Sequence, residues 1–154
     1  MVRLSDLAEI EANMLRAIPC EPFDTEPWVS GPPLRERRVA IVTTAGLHRR
    51  GEQNFTVSDA SYRVVPGDVA GSDLVMSHIS VNFDRSGFQQ DVNVVFPIDR
   101  LRELERVGEI GSLANFHYSF MGAAGRPHDF EPTAREVAGL LKEDGVNAVL
   151  LCPV

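Results

Sequence analysis

The sequence predicts an α/β fold, an open and mostly parallel sheet with flanking helices of the three-layer, Rossmann- or flavodoxin-like kind. Three observations carry this. Apolar residues recur at helical spacing in Ile98–Val107 and again in Glu131–Asp144, while short β-branched runs lie between the helical stretches. Asn147 to Val154 is continuously apolar, as expected of a strand with both faces covered in a parallel sheet. Helices alternating with such strands argue for right-handed crossovers, and in open α/β sheets ligands sit beyond the carboxyl ends of the strands.

The elements follow in order. Leu4, Leu7, Ile10, Met14, Leu15 and Ile18 are three or four apart, which predicts an amphipathic helix over residues 3–18 ending before Pro19, a docking arm. Five prolines between Pro19 and Pro33 give an extended connector, anchored by Phe23 and Trp28. Residues 1–34 thus form an N-terminal helix and proline-rich connector, and residues 35–154 the α/β domain. Val39-Ala-Ile-Val-Thr-Thr44 is the first core strand, closed by Ala45-Gly46. Residues 51–60 are a polar loop, Ser61–Pro66 an edge strand, Asp73–His78 a third strand, and Val92–Pro97 a fourth that feeds straight into the helix at Ile98. Pro97 before that helix and Gly108 and Gly145 after the two helices are the usual punctuation.

Composition narrows the function. The chain has 154 residues, 44% hydrophobic and 24% charged, enough for one core. Lys and Arg total 15 against 22 Asp and Glu, a net charge of −7, which argues against a nucleic-acid partner. Arg35, Arg37 and Arg38, then His48, Arg49 and Arg50, bracket the first strand and read as solvated strand ends. No apolar run reaches the eighteen residues a membrane span needs, and the acidic start lacks a secretory signal, so the expectation is a cytoplasmic protein with no membrane contact. Cys20 and Cys152 lack metal-site spacing, which predicts neither a metal nor a disulfide scaffold. No GxGxxG or GxxxxGK loop occurs.

Several stretches carry more specific information: Val39-Ala-Ile-Val-Thr-Thr-Ala-Gly-Leu-His48, Ser61-Tyr-Arg-Val-Val-Pro66, Ser72-Asp-Leu-Val-Met-Ser-His78, Asp91-Val-Asn-Val-Val-Phe-Pro-Ile-Asp-Arg-Leu-Arg-Glu-Leu104, Ile110-Gly-Ser-Leu113, Tyr118-Ser-Phe-Met-Gly122 and Asp144-Gly-Val-Asn-Ala-Val-Leu-Leu151. Their order and spacing over residues 35–154 resemble the glycine/sarcosine/betaine reductase selenoprotein B family, to which a component of D-proline reductase also belongs. The resemblance implies a selenocysteine directly after Pro153-Val154, with the chain stopping where that codon is read as a terminator and the fold incomplete at its C-terminus. It also implies reductive cleavage of the C–N bond of glycine or an N-methylated glycine, electrons from thioredoxin, and assembly with further reductase subunits, one of them pyruvoyl-bearing. The short product is then inactive. Apart from selenocysteine, no cofactor is expected. A selenol, more acidic than a thiol, is a ready nucleophile at neutral pH.

Candidate residues follow from the rim rule. His48 and His78 end strands and either assist a departing amine as acid or base or are satisfied turn histidines. Cys152 either resolves an oxidised selenium or is a small buried hydrophobe. Arg49, with Arg50, either clamps a substrate carboxylate or is solvated. Asp91 and Asn93 flank the fourth strand as ligand or turn residues, and Tyr118 and Ser119 are candidate substrate contacts or buried polar groups. His117 and His128 read as structural, as do Asp99 and Arg100 in a helical first turn. The alternative to an enzyme is a non-catalytic α/β binding module, or a subunit whose open sheet is completed by a second copy or a partner.

Overall fold

The computed structural model describes residues 3–19, 22, 24, 26, 28–80, 83–123 and 125–154. The positions of Cys20 and Phe23 lie outside these. The chain forms α1 (Glu9–Arg16), β1 (Arg38–Thr43), β2 (Leu47–Arg49), β3 (Arg63–Pro66), β4 (Leu74–Met76), α2 (Ser86–Gln90), α3 (Ile98–Arg106), β5 (Ser112–Leu113), β6 (Phe116–Ser119), α4 (Glu131–Glu143) and β7 (Ala148–Cys152).

The fold is α/β with a mostly parallel sheet, as predicted. β1 is its centre. β7 runs parallel along one side, from Val39↔Ala148 to Thr43↔Cys152, and β5 and β6 lie end to end along the other, also parallel. β3 closes the β6 edge antiparallel. Alternation along β1 splits the core between two faces: Val39 and Ile41 pack with Ile98 and Leu101 of α3, and Ala40 packs with Val137 and Leu141 of α4. Both helices stop where glycine takes a left-handed backbone, Gly108 at φ +75° and Gly145 at φ +71°. A carboxylate hub ties the lower end of the sheet together. Asp144, at the end of α4, receives Arg38 Nη2 at 2.7 Å, the Asn115 backbone N–H at 2.6 Å and Asn115 Nδ2 at 2.7 Å.

Several expectations are corrected. Val92–Pro97 is not a strand. Val92–Val94 is one 3₁₀ turn capped by Asp91, whose carboxylate accepts from Asn93 N at 2.9 Å, while Asn93 Oδ1 accepts from Asp99 N at 3.0 Å. These short-range bonds coil the backbone, and its apolar residues plug the core instead of pairing: Phe96 is fully buried and the Val95 carbonyl accepts the Thr43 hydroxyl at 2.9 Å. The third strand leaves the main sheet. β4 pairs antiparallel with β2 in a separate two-stranded ribbon, Leu47↔Met76 to Arg49↔Leu74. β5 and β6 were not anticipated as strands. β7 is an edge strand within these residues and not a covered central one, with Val149, Leu150 and Leu151 exposed. The N-terminal helix is shorter than predicted. It buries Ala12 and leaves Ile10 and Met14 in solvent; Trp28 is 89% exposed and anchors nothing.

Candidate functional site at the carboxyl rim

The carboxyl ends of β1, β6 and β7 converge, and side chains and backbone hold them there. Thr44 N donates to the Cys152 carbonyl at 3.1 Å and Gly122 N donates to the Thr44 carbonyl at 2.9 Å. The Thr44 hydroxyl accepts from Val154 N at 2.8 Å and lies 3.3 Å from the Val154 carbonyl, to which it donates. Gly122 closes the third side. A Cβ there would meet the Val154 carbonyl at 2.8 Å and Thr44 Oγ1 at 2.9 Å, so the approach of the strands requires a residue without one.

Beside this junction is an open cavity of about 360 Å³ lined by His78, Ser80, Phe83, Gly122, Ala123 and Val154. His78 follows β4 of the β2–β4 ribbon, close enough to Gly46, just before β2, that a Cβ there would meet His78 N at 3.1 Å. The imidazole is 4% exposed and rests on Phe83 with ring centres 5.0 Å apart. Its Nδ1 accepts from Ser80 N at 3.3 Å, which places the ring proton of the neutral form on Nε2, a buried atom with no protein partner. Arg85 Nη2 donates to the His78 carbonyl. Burial, followed by the Arg85 charge, lowers the His78 pKa from its ordinary value, so the ring is neutral at pH 7.

The other candidate residues separate. Cys152 is on β7 with its carbonyl bonded to Thr44; burial pushes its thiol pKa upward, opposite to the shift of an activated thiolate. His48 is 2% exposed within β2, its Nδ1 3.0 Å from the Arg49 carbonyl and its Nε2 buried without a partner. The ribbon register puts His48 opposite Val75, three residues before His78, and Arg49 one step farther from the cavity. Arg49 is paired with Glu52 at 2.8 Å on the surface. Asp91 caps its turn, and the hydrogen bonds from Asn93 lower its pKa. Tyr118 is buried in the α4-side core, edge-on to Tyr62 with centroids 5.8 Å apart. Burial, then the charges of Asp144 and Glu143, raise its pKa. Ser119 is fully buried and its hydroxyl accepts from Leu47 N at 2.7 Å, fastening β6 to the start of β2. Among the described residues, no group of three or more His, Cys, Asp or Glu is arranged to hold a metal ion, and no helix is long and apolar enough to cross a membrane.

Of the predicted residues, only His78 lines the cavity with the end of β7. Ser80, Phe83, Gly122 and Ala123 complete its lining, with Thr44 at the adjoining strand junction, and none of these was singled out from sequence. The signal available for Thr44 was two adjacent hydroxyls closing a buried strand, Thr43-Thr44.

Residues 21–153 match the family model of glycine/sarcosine/betaine reductase selenoprotein B. The chain belongs to this selenoprotein B family. Within it, D-proline reductase subunit gamma of Acetoanaerobium sticklandii is 42% identical over 120 residues, covering 77% of this chain and 49% of the relative. Sarcosine reductase complex component B subunit beta of Peptoclostridium acidaminophilum is 33% identical over 118 residues, covering 74% and 27%. Glycine reductase complex component B subunit gamma of Carboxydothermus hydrogenoformans is 27% identical over 146 residues, covering 90% and 33%. This selenoprotein B family member therefore spans half or less of the length of these relatives. No solved structure matches the chain.

Proposed function

We propose that this chain supplies the carboxyl rim of a selenoprotein B-type reductase component, and that the reactive group is a selenocysteine immediately after Val154. The observation that carries the reading is the junction itself. The backbone at Val154 is held against Thr44 and Gly122 on the wall of a cavity whose other wall is His78, where an α/β fold presents its ligand. In this reading the selenolate attacks the α-carbon of glycine, an N-methylated glycine or a related cyclic amino acid. The Se–C bond forms as the C–N bond breaks, the nitrogen keeping the electron pair and taking up a proton. Two electrons from thioredoxin and a proton then cleave the Se–C bond, which releases the carbon chain as the deaminated acid and regenerates the selenol. Neutral His78 contributes a hydrogen-bond donor, Nε2–H, to the anionic group in the cavity. The other subunits of the complex are partners, in keeping with relatives that are named as subunits and components.

A second reading is favoured by one specific feature. Val149 and Leu151 are exposed beside an apolar groove of about 530 Å³ between α4 and β7, so the chain also suits a binding module completed by a second copy or another subunit. The gene and one assay separate the two. The codon after Val154 is expected to be a selenocysteine codon followed by a matching frame. The full-length protein is then expected to turn over glycine, sarcosine, betaine or D-proline in a thioredoxin-dependent manner. A sense codon, a stop with no matching frame, or no turnover of any of the four removes the reductase reading.

A further inference from the structure

We propose that Thr44 is a positioning residue, an inference that rests on the reductase reading: its hydroxyl clamps the backbone of Val154 and so sets where the group carried just beyond β7 stands relative to His78. The pairing of β1 with β7 runs from Val39↔Ala148 to Thr43↔Cys152 and goes no farther. Beyond it, regular ladder bonds give way to a side chain. Thr44 Oγ1 takes the Val154 N–H at 2.8 Å and returns its own proton toward the Val154 carbonyl at 3.3 Å, so both main-chain polar groups of that residue are held by one hydroxyl. Gly122 fixes the third contact, since its missing Cβ is what lets the Val154 carbonyl and Thr44 approach. The neighbouring hydroxyl does different work: Thr43 Oγ1 is bound to the carbonyls of Val95 and Cys152 and accepts from Ala45 N, all of which brace the interior. Of the two hydroxyls, that of Thr44 acts on the residue at the cavity.

The backbone of Thr44 keeps its own ladder bonds, Thr44 N to Cys152 O and Gly122 N to Thr44 O, in any side-chain variant. Thr44→Val therefore removes the clamp while retaining shape and β-branching, and Thr44→Ser retains the hydroxyl. Two measurements test the role. In the 154-residue chain, amide exchange read by NMR is expected to show Val154 N–H protected in wild type and Thr44→Ser and unprotected in Thr44→Val, with unchanged chemical shifts across the core. In the selenocysteine-containing full-length protein with its reductase partners, Thr44→Val is expected to lower kcat by roughly 10- to 100-fold with KM unchanged, the scale of a misplaced reacting group. Thr44→Ser recovers most of that rate. Persistent Val154 protection in Thr44→Val, a fall in KM-dependent binding alone, or failure of serine to rescue overturns the positioning role. A wild-type full-length protein without reductase activity overturns the reductase reading and the rate prediction together, and the exchange result still decides the clamp.

Discussion

Acid sensitivity of the fold is predicted to run through His117. Its imidazole is fully buried, its Nδ1 accepts from Ile41 N at 3.0 Å, and its ring stands edge-on to Phe96 at 5.6 Å. It fills the space on the β1 edge between the β5 and β6 pairings, supplying an acceptor where a strand carbonyl is missing. Burial, aided by the charges of Arg102 and Arg38 and opposed by Asp144, lowers the pKa to about 4. The unfolded chain restores the ordinary value of 6.5. Between pH 6.5 and 4 the unfolded state therefore binds a proton that the folded state does not. The His117 contribution is full above pH 6.5, falls as pH is lowered through this window and is constant below about 4. At 1.36 kcal/mol per pH unit, the loss amounts to about 3 kcal/mol, a large part of the 5–15 kcal/mol that holds an ordinary domain. Urea unfolding from pH 7 to 4.5, for wild type and His117→Asn, measures it. The asparagine keeps an acceptor near Ile41 N, and the variant is expected to be weaker at pH 7 but to lose stability less steeply, so that the two curves converge in acid. Some slope persists in the variant because His78 is shifted in the same direction. Parallel curves between pH 6.5 and 5, or an NMR titration of folded His117 with a midpoint near 6.5, would refute the reasoning.

Two further outcomes follow from the packing. Asp144→Asn removes the charge that burial opposes and that hydrogen bonds from Arg38 and Asn115 sustain below the usual carboxylate range; a loss of about 2 kcal/mol is expected, seen by calorimetry as a melting temperature lower by roughly 4–8 °C. Leu151→Glu, at a side chain 65% exposed on β7, is expected to leave stability within about 0.5 kcal/mol and to weaken any concentration-dependent self-association seen by sedimentation.

Much of the scaffold was legible because its determinants are local. The β-branched run Val39–Thr43 is bounded by charge and glycine, and the α3 and α4 stripes are closed by Gly108 and Gly145; each of these signals lies within a few residues of the element it defines. The misreadings share one cause, which is that apolar content reports burial and not pairing. Val92–Phe96 is as apolar as β1, yet Asp91 and Asn93 hold it in a turn that inserts Phe96 into the core. β6 shows the converse. Phe116-His-Tyr-Ser looks too polar for an inner strand, but His117 Nδ1 and the Ser119 hydroxyl accept from Ile41 N and Leu47 N, more than seventy positions away in sequence. No window along the chain contains those partners.

The site divides along the same line. A histidine after a short strand pointed to His78, and the structure puts it at the rim, although it comes from an antiparallel ribbon and not from a parallel strand of the sheet. Tyr118 and Ser119 are adjacent hydroxyls in the sequence, but burial commits the serine to a backbone bond and the tyrosine to an aromatic cluster. Thr44, Gly122 and Val154 acquire meaning only together, since the register of β1 with β7 carries residue 154 to within one hydrogen bond of residue 44 and leaves no room for a side chain at 122. A threonine at the end of a buried strand is unremarkable alone. What recommends it as a positioning residue is that its hydroxyl fixes the Val154 backbone at the cavity wall, so that on the proposed reading a displacement there passes directly to the group that follows.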